Sequence, residues 1–192
     1  MKTAIKLLFA TVSIALITAC GGGSGGTTSV SDIDNKWARN VGTYYSCDSH
    51  TKQTATLTPT GSNQLAISIK WEVFSLDACA GTLIGVVSPM SLTMTYIKTV
   101  MATVTGVGTR TSVQNLSIDA VTTTAPAQNL TLTGSGVTGN CVNYLNGNNC
   151  FNNLSFPSQS MNAGIYLSST AFATLVPSGS TWIADQPNFT KQ

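Results

Sequence analysis

Charged side chains are scarce in this sequence. Only 8% of its 192 residues are Asp, Glu, Lys or Arg. Lys2 and Lys6 belong to the first 19 residues, so the remaining 173 carry seven basic and seven acidic side chains. A chain that is formally neutral has no basic surface with which to attract nucleic acid. The composition therefore excludes nucleic acid from the expected partners.

The side chains that catalysis usually requires are also few. His50 is the only histidine, and it lies in a polar stretch, 48–52. One histidine, together with cysteines that are expected to pair with one another, does not form a zinc-binding set. A glycosidase needs two carboxylates facing each other across a sugar, for which Glu72 with Asp77, or Asp119 with another, would have to meet. Nothing in the sequence brings them together. The sequence thus predicts no catalytic residues, no metal and no cofactor.

The N-terminus is hydrophobic, but it is shorter than a comfortable membrane span. Lys2 and Lys6 introduce an uncharged, mostly apolar stretch, 7–17. Residues 17–20, Ile-Thr-Ala-Cys, follow the pattern of an aliphatic residue, two small residues and a cysteine. This resembles the lipobox of bacterial lipoproteins. The resemblance implies cleavage before Cys20, which would then carry a diacylglycerol and an amide-linked acyl chain such as palmitate.

Such an anchor implies a place in the cell. Several lipid chains hold a protein durably at a membrane, whereas one chain holds it only marginally. Gly21 is not the aspartate that retains some lipoproteins at the inner membrane, so the resemblance favours the outer membrane of a bacterial envelope. A Gly/Ser/Thr-rich stretch, 21–31, is typical of a flexible tether. We therefore predict a signal peptide over 1–19, a lipidated Cys20 with its tether over 20–31, and one β domain over 32–192.

Four cysteines remain besides Cys20, and none of them forms a Cys-x-x-Cys redox motif. An even number of cysteines in an exported chain indicates disulfides. Four cysteines allow three connectivities. We favour Cys47–Cys79 and Cys141–Cys150, because neither bond then crosses between the two halves of the chain.

Helical signals are almost absent after one expected helical turn at 32–40. Apolar residues instead alternate with Thr and Ser at a period of two, which is typical of strands. In the clearest strand, 63–71, Leu65, Ile67, Ile69 and Trp71 share one face. Further strands are predicted at 41–47, 54–58, 82–88 (ended by Pro89), 92–96, 100–104, 116–120, 130–132, 164–168, 171–176 and 181–185, and a turn-rich region at 134–153.

This order of about ten short strands predicts an all-β fold. A meander of this kind forms an antiparallel barrel or, alternatively, a β-sandwich. A barrel is favoured because few charges are present to protect exposed strand edges, and closure removes those edges. Its interior should be mostly filled, with any opening near the bend at Gly106 and Gly108.

Three short motifs resemble the lipocalin-like bacterial lipoproteins. They are Trp37 with Gly-Thr-Tyr-Tyr-Ser-Cys at 42–47, the second cysteine in Asp-Ala-Cys-Ala-Gly at 77–81, and Trp-Ile-Ala-Asp-Gln-Pro at 182–187 with Phe189. The resemblance implies a β-barrel that is able to hold an internal cavity. It implies no particular ligand.

The stretch between Cys141 and Cys150 is rich in asparagine. If these cysteines pair, Asn143, Tyr144 and Asn146 lie on a stapled loop, where amides can bond sugar hydroxyls and a tyrosine ring can stack on a sugar. The alternative is purely conformational, because Asn and Gly tolerate the left-handed backbone of tight turns.

The sequence as a whole predicts a lipid-anchored, disulfide-stapled β-barrel of the bacterial envelope without enzymatic activity. The expected function is binding of a small apolar or sugar-like ligand, and the membrane is the expected partner through the anchor. The alternative is a structural or adhesive surface lipoprotein, for which a fully packed interior would argue.

Overall fold

The computed structural model describes residues 36–106, 112–184 and 189–191. The predicted signal peptide, Cys20 and the tether lie outside this part of the chain. Within it the fold is all-β and contains no helix. The strands are β1 Gly42–Asp48, β2 Thr51–Gly61, β3 Gln64–Leu76, β4 Ala80–Thr105, β5 Ser112–Ala125, β6 Gln128–Asn129, β7 Leu132–Thr133, β8 Val137–Thr138, β9 Cys141–Tyr144, β10 Gly147–Cys150, β11 Ser155–Phe156, β12 Gln159–Leu167, β13 Ala171–Ser178, β14 Thr181–Ala184 and β15 Phe189–Lys191.

Eight strands form one continuous ring of antiparallel pairings. The order is β1, β2, β3, β4, β5, β12, β13 and β15, after which β15 pairs with β1 again. Strand β14 pairs with β13 and also, in the parallel sense, with β4. The all-β prediction is confirmed.

The predicted alternation in β3 is confirmed as well. Leu65, Ile67, Ile69 and Trp71 are each at most 4% exposed, whereas Ser68, between them, is half-buried on the opposite face. The buried faces of the ring strands meet in one apolar cluster, to which Tyr44, Phe172 and Phe189 contribute aromatic rings, among others. Burying one such side chain stabilises the fold by about 1.5–3 kcal/mol.

Pro89 does not end a strand, and that prediction was wrong. The three segments predicted at 82–88, 92–96 and 100–104 are parts of the single long strand β4. The register between β3 and β4 shifts from Trp71–Val87 to Ile69–Met90, so two residues of β4 face one residue of β3. Such a bulge accommodates a proline, which has no N–H to donate to the ladder.

A second bulge in β4 exchanges the two faces of the strand. The register with β5 shifts between Tyr96 and Lys98, and Ile97 is the extra residue. Before the bulge, Met94 and Tyr96 belong to the interior cluster; after it, Val100 and Val104 pack into a second cluster. That second cluster consists of Val104, Ile118, Ala173 and Leu175 with partly buried Val100, Ala102, Leu116, Tyr166, Trp182 and Ala184.

A short turn, 36–40, covers one end of the ring. Trp37 is 2% exposed, and its indole Nε1 donates to Asp119 Oδ2 at 2.8 Å. Lys36 Nζ lies 2.5 Å from Asp119 Oδ1 and 3.9 Å from the centre of the Tyr96 ring. We call Lys36, Trp37, Tyr96, Thr99 and Asp119 the clasp. The helical turn expected at 32–40 is a non-helical turn over its described part, 36–40.

Both predicted disulfides are present. Cys47–Cys79 joins the end of β1 to the turn between β3 and β4, and Cys141–Cys150 links the paired strands β9 and β10. The region 134–153, predicted as turns, contains the small three-stranded sheet β8–β9–β10. Strand β12 begins at Gln159, earlier than the predicted 164.

Candidate functional site

The inward faces of the ring strands leave a cavity of about 90 Å³. Its walls are mostly apolar and include three methionines and Trp71. The lining residues are Ile69, Trp71, Met90, Leu92, Met94, Thr123, Ala125, Gln128, Phe156, Pro157, Gln159, Met161, Ala163, Thr174, Leu175 and Val176. The interior is therefore largely filled, as expected, but not completely.

The cavity begins next to the clasp inside the ring. Tyr96, whose ring packs edge-on against Trp37, pairs with Val121 of β5. The next pair of inward residues along β4 and β5 is Met94 with Thr123, and both of them line the cavity. The clasp and the cavity thus occupy successive levels of the same interior.

A short pair of strands borders the cavity. Phe156 of β11 pairs with Gln128 of β6, and both residues line the cavity. The Gln128 amide is fixed on β4, because its Oε1 accepts from Ser91 N at 2.7 Å and its Nε2 donates to Ser91 O at 2.8 Å. An opening was expected near the bend at Gly106 and Gly108. Gly106 does not line the cavity, and Gly108 lies outside the described residues.

Four buried side-chain oxygens in the described residues make no hydrogen bond. They are Ser46 Oγ, Gln53 Oε1, Thr123 Oγ1 and Thr174 Oγ1. Strand alternation places all four on inward faces, since Ser46 follows Tyr44 by two residues and Thr174 follows Phe172 by two. A buried polar group without a partner costs about 1–3 kcal/mol. The interior therefore has hydrogen-bonding capacity that the protein itself does not use.

The four oxygens fall into two groups, one directly at the cavity and one beside it. Thr123 and Thr174 line the cavity directly. Ser46 pairs with Gln53, and Gln53 pairs with Trp71, which also lines the cavity. The amide of Gln159, half-buried at the cavity, makes no side-chain hydrogen bond with the described residues either.

The described part of the cavity wall is uncharged. Among residues 36–106, 112–184 and 189–191, no Asp, Glu, Lys, Arg or His lines the cavity. Over the described ranges, no three His, Cys, Asp or Glu side chains are grouped so that they could hold a metal ion. The wall offers apolar contact and neutral hydrogen-bonding groups, and such a wall suits an uncharged organic ligand.

The Asn-rich hairpin is docked on the end of the ring that carries Cys47–Cys79. The Tyr144 ring stacks on the His50 ring, with centroids 3.9 Å apart and 17° between the planes. His50 Nδ1 lies 3.1 Å from Phe74 O, so this nitrogen carries the proton and donates. Asn143 Nδ2 donates to Thr138 Oγ1 at 3.1 Å.

Two of the three predicted ligand-binding residues are therefore engaged within the protein. Asn146 differs, because it is exposed and makes no side-chain hydrogen bond with described residues. It follows Leu145, which is 90% exposed at the turn of the hairpin. The hairpin offers less unused binding capacity than the cavity does.

The carboxylates considered for catalysis each have a separate environment. Glu72 Oε1 lies 2.7 Å from Lys70 Nζ, and Asp119 belongs to the clasp. Asp77 is exposed, and hydrogen bonds from the Ser49 side chain and the Ala78 backbone lower the pKa of its carboxyl. Each carboxylate is thus engaged with a different set of neighbours.

The four inward oxygens were not among the residues predicted from the sequence. Gln53 occupies the same face as Ala55 and Leu57, and a polar residue on an apolar face is a recognisable signal. Thr123 and Thr174 gave no such signal, because threonine is common on both faces of strands.

Comparison with known proteins found no matching family model, no matching curated protein and no matching solved structure. No helix among the described residues is long and apolar enough to cross a membrane.

Proposed function

We propose that this protein is a lipid-anchored component of the bacterial envelope, held at Cys20, that binds a small and mostly apolar ligand inside a closed barrel. The cavity carries the proposal. It is apolar, it lies inside the ring of strands, and unpaired polar atoms face the same interior. Binding sites for small molecules typically combine apolar walls with a few polar groups.

The barrel interpretation rests on the strand pairings. Eight strands each pair with neighbours on both sides, and β15 pairs with β1. A barrel of about eight strands has an interior that side chains can fill or that can hold one small ligand. In this ring, side chains fill most of the interior and leave a cavity of about 90 Å³.

The anchor would attach at the clasp end. Lys36, the first described residue, belongs to the clasp, and the cavity lies further along the strands. An anchor at Cys20 would therefore join the domain at the clasp, and the cavity would lie on the side away from that attachment.

One observation favours the alternative of a structural or adhesive lipoprotein. The outward faces of β2, β3 and β4 form a groove of about 220 Å³ whose wall is rich in hydroxyl groups. It is lined by Thr56, Thr58, Ala66, Ile67, Ser68, Ser91, Leu92, Thr93 and Pro126. The groove is larger than the interior cavity, but in contrast to that cavity it shows no buried oxygen in its wall that lacks a partner.

Native mass spectrometry of the full chain extracted from bacterial membranes tests both parts of the proposal. We expect a covalent lipid mass that is absent from Cys20→Ser and a non-covalent ligand that dissociates on activation. A Cys20→Ser chain that incorporates a fatty-acid label as well as the wild type does would contradict the anchor.

A matched pair of variants tests the location of the ligand. Ala163→Leu adds bulk at the cavity wall and should abolish ligand retention, whereas Ala66→Leu adds the same bulk on the outward face and should not. Loss of ligand in Ala66→Leu alone would mean that the ligand binds in the outer groove and not in the cavity.

A further inference from the structure

We infer that the cavity binds an uncharged amphiphile that carries a hydroxyl group, with its hydrocarbon part against the apolar wall and its hydroxyl bonded to Thr123 or Thr174. This inference rests on the proposed ligand-binding function and specifies the chemistry of the ligand.

The wall of the cavity selects against charge. The described residues that line it include no cationic side chain that would compensate a carboxylate or phosphate and no anionic one that would attract a cation. Moving an unpaired charge out of water into apolar surroundings is strongly unfavourable. The part of the ligand that enters is therefore neutral.

The unpaired oxygens select against a pure hydrocarbon. A hydrocarbon would leave Thr123 Oγ1 and Thr174 Oγ1 without partners, as they are in the ligand-free protein. Gln53 Oε1 can only accept a hydrogen bond, whereas threonine hydroxyls can donate or accept. A ligand hydroxyl both donates and accepts, so it can satisfy either kind of group.

Threonine can present its hydroxyl without moving the backbone. The oxygens of Thr123 and Thr174 are covered, although both residues line the cavity. Rotation about χ1 between staggered positions exchanges the methyl group and the hydroxyl. Ligand entry can therefore turn either oxygen towards the cavity.

The volume indicates a short chain. The cavity, at about 90 Å³, is smaller than the roughly 150 Å³ engineered cavity that admits benzene. Met90, Met94 and Met161 line it, and the flexible methionine side chain adapts to different occupants. A three-carbon probe is therefore a suitable size.

Trp71 provides an internal reporter because it lines the cavity. Trp37 lies in the clasp, and Trp182 packs over Gly164 in the second cluster. A bromine atom bound in the cavity should quench the fluorescence of Trp71 and leave that of the other two tryptophans nearly unchanged.

The test uses the full chain, purified from membranes and reconstituted in lipid nanodiscs. Three probes are titrated at pH 7, namely 3-bromopropan-1-ol, 1-bromopropane and 3-bromopropanoate, with empty nanodiscs and Trp71→Phe as blanks. We expect saturable quenching by the alcohol, about fivefold tighter binding of the alcohol than of the alkane for each hydrogen bond, and no saturable quenching by the carboxylate.

Valine variants then assign the hydroxyl contact. Thr123→Val and Thr174→Val keep the side-chain shape, and at least one of them should weaken alcohol binding to the level of the alkane while leaving alkane binding unchanged. Unchanged alkane binding also shows that the variant is folded. Thr122→Val, on the outward face of the same strand, should alter neither affinity.

The possible results separate this inference from the proposed function. Equal binding of alcohol and alkane, or tighter binding of the carboxylate, would overturn the inference and leave a ligand-binding interior. Absence of saturable quenching by all three probes would contradict both.

Discussion

The clasp and the cavity lie in the same interior, but the polar side chains of the clasp are hydrogen-bonded, whereas two hydroxyl oxygens at the cavity are not. In the clasp, Asp119 accepts from Lys36, Trp37 and Thr99, each at 2.5–2.8 Å. At the cavity, the oxygens of Thr123 and Thr174 have no partner. A network with all its groups paired stabilises one arrangement, whereas unpaired groups remain available to a ligand. The contrast supports a structural role for the clasp and the ligand-binding role that we propose for the cavity.

The largest expected effect comes from placing an unpaired charge in the interior. Ile67→Asp should lower the free energy of unfolding by several kcal/mol, because Ile67 is 1% exposed and belongs to the apolar cluster, where a carboxylate would be buried. Ser68→Asp, one residue away on the outward face, should cost little. Thermal melts of soluble variants without residues 1–20 would measure the difference, and equal melting temperatures would mean that the faces of β3 are wrongly assigned.

Breaking the clasp should have the next largest effect. Asp119→Ala removes the acceptor of the Trp37 indole and should lower the free energy of unfolding by about 1–3 kcal/mol, because a buried N–H loses its partner. Urea titration followed by tryptophan fluorescence would report it. The control is Asp48→Ala, at the exposed end of β1. If both variants unfold at the same urea concentration, the clasp does not contribute to stability.

Removing an unpaired hydroxyl at the cavity should stabilise the protein, whereas the two changes above destabilise it. Thr123→Val should raise the free energy of unfolding of the ligand-free protein by about 1 kcal/mol, since the covered oxygen has no partner to lose. The outward variant Thr122→Val is the matched control in the same urea experiment. Destabilisation by Thr123→Val alone would show that this hydroxyl is paired in solution, and the contrast with the clasp would disappear.

The smallest effect concerns pH at the loop that Cys47–Cys79 closes. The Ser49 side chain and the Ala78 backbone lower the pKa of the Asp77 carboxyl in the folded protein. Its contribution to stability is thus present above the usual carboxyl pKa of about 4 and is lost as the pH falls through the lower folded value. Asp77→Asn should therefore reduce the loss of stability between pH 5 and pH 2 slightly. Identical stability–pH profiles for the wild type and Asp77→Asn would mean that Asp77 does not contribute to the pH dependence of stability.

The fold was predictable where the signal is local. Leu65, Ile67, Ile69 and Trp71 alternate at the strand period, and their burial follows from that pattern. The nearness in sequence of Cys141 to Cys150 already favoured their pairing, which the β9–β10 hairpin confirms. The lipid anchor at Cys20 stays a prediction from the sequence.

The candidate site was not predictable in the same way. Its lining comes from β3, β4, β5, β6, β11, β12 and β13, which are separated along the chain. Tyr144 and Asn143 suggested a binding loop from composition, but their contacts with His50 and Thr138 depend on how the hairpin docks. No local pattern specifies such contacts.

The sequence by itself determined the strand character and the shared face of the alternating residues in the strand 63–71, because these depend on periodicity, and it favoured the two disulfides among three possible connectivities. The tertiary structure decided which strands meet, where β4 bulges at Pro89 and Ile97, and which threonine oxygens are left without partners. A bulge is a one-residue change of register between two strands, and an unpaired oxygen is defined by everything around it. Both are properties of chain segments brought together, and therefore only the folded molecule reveals them.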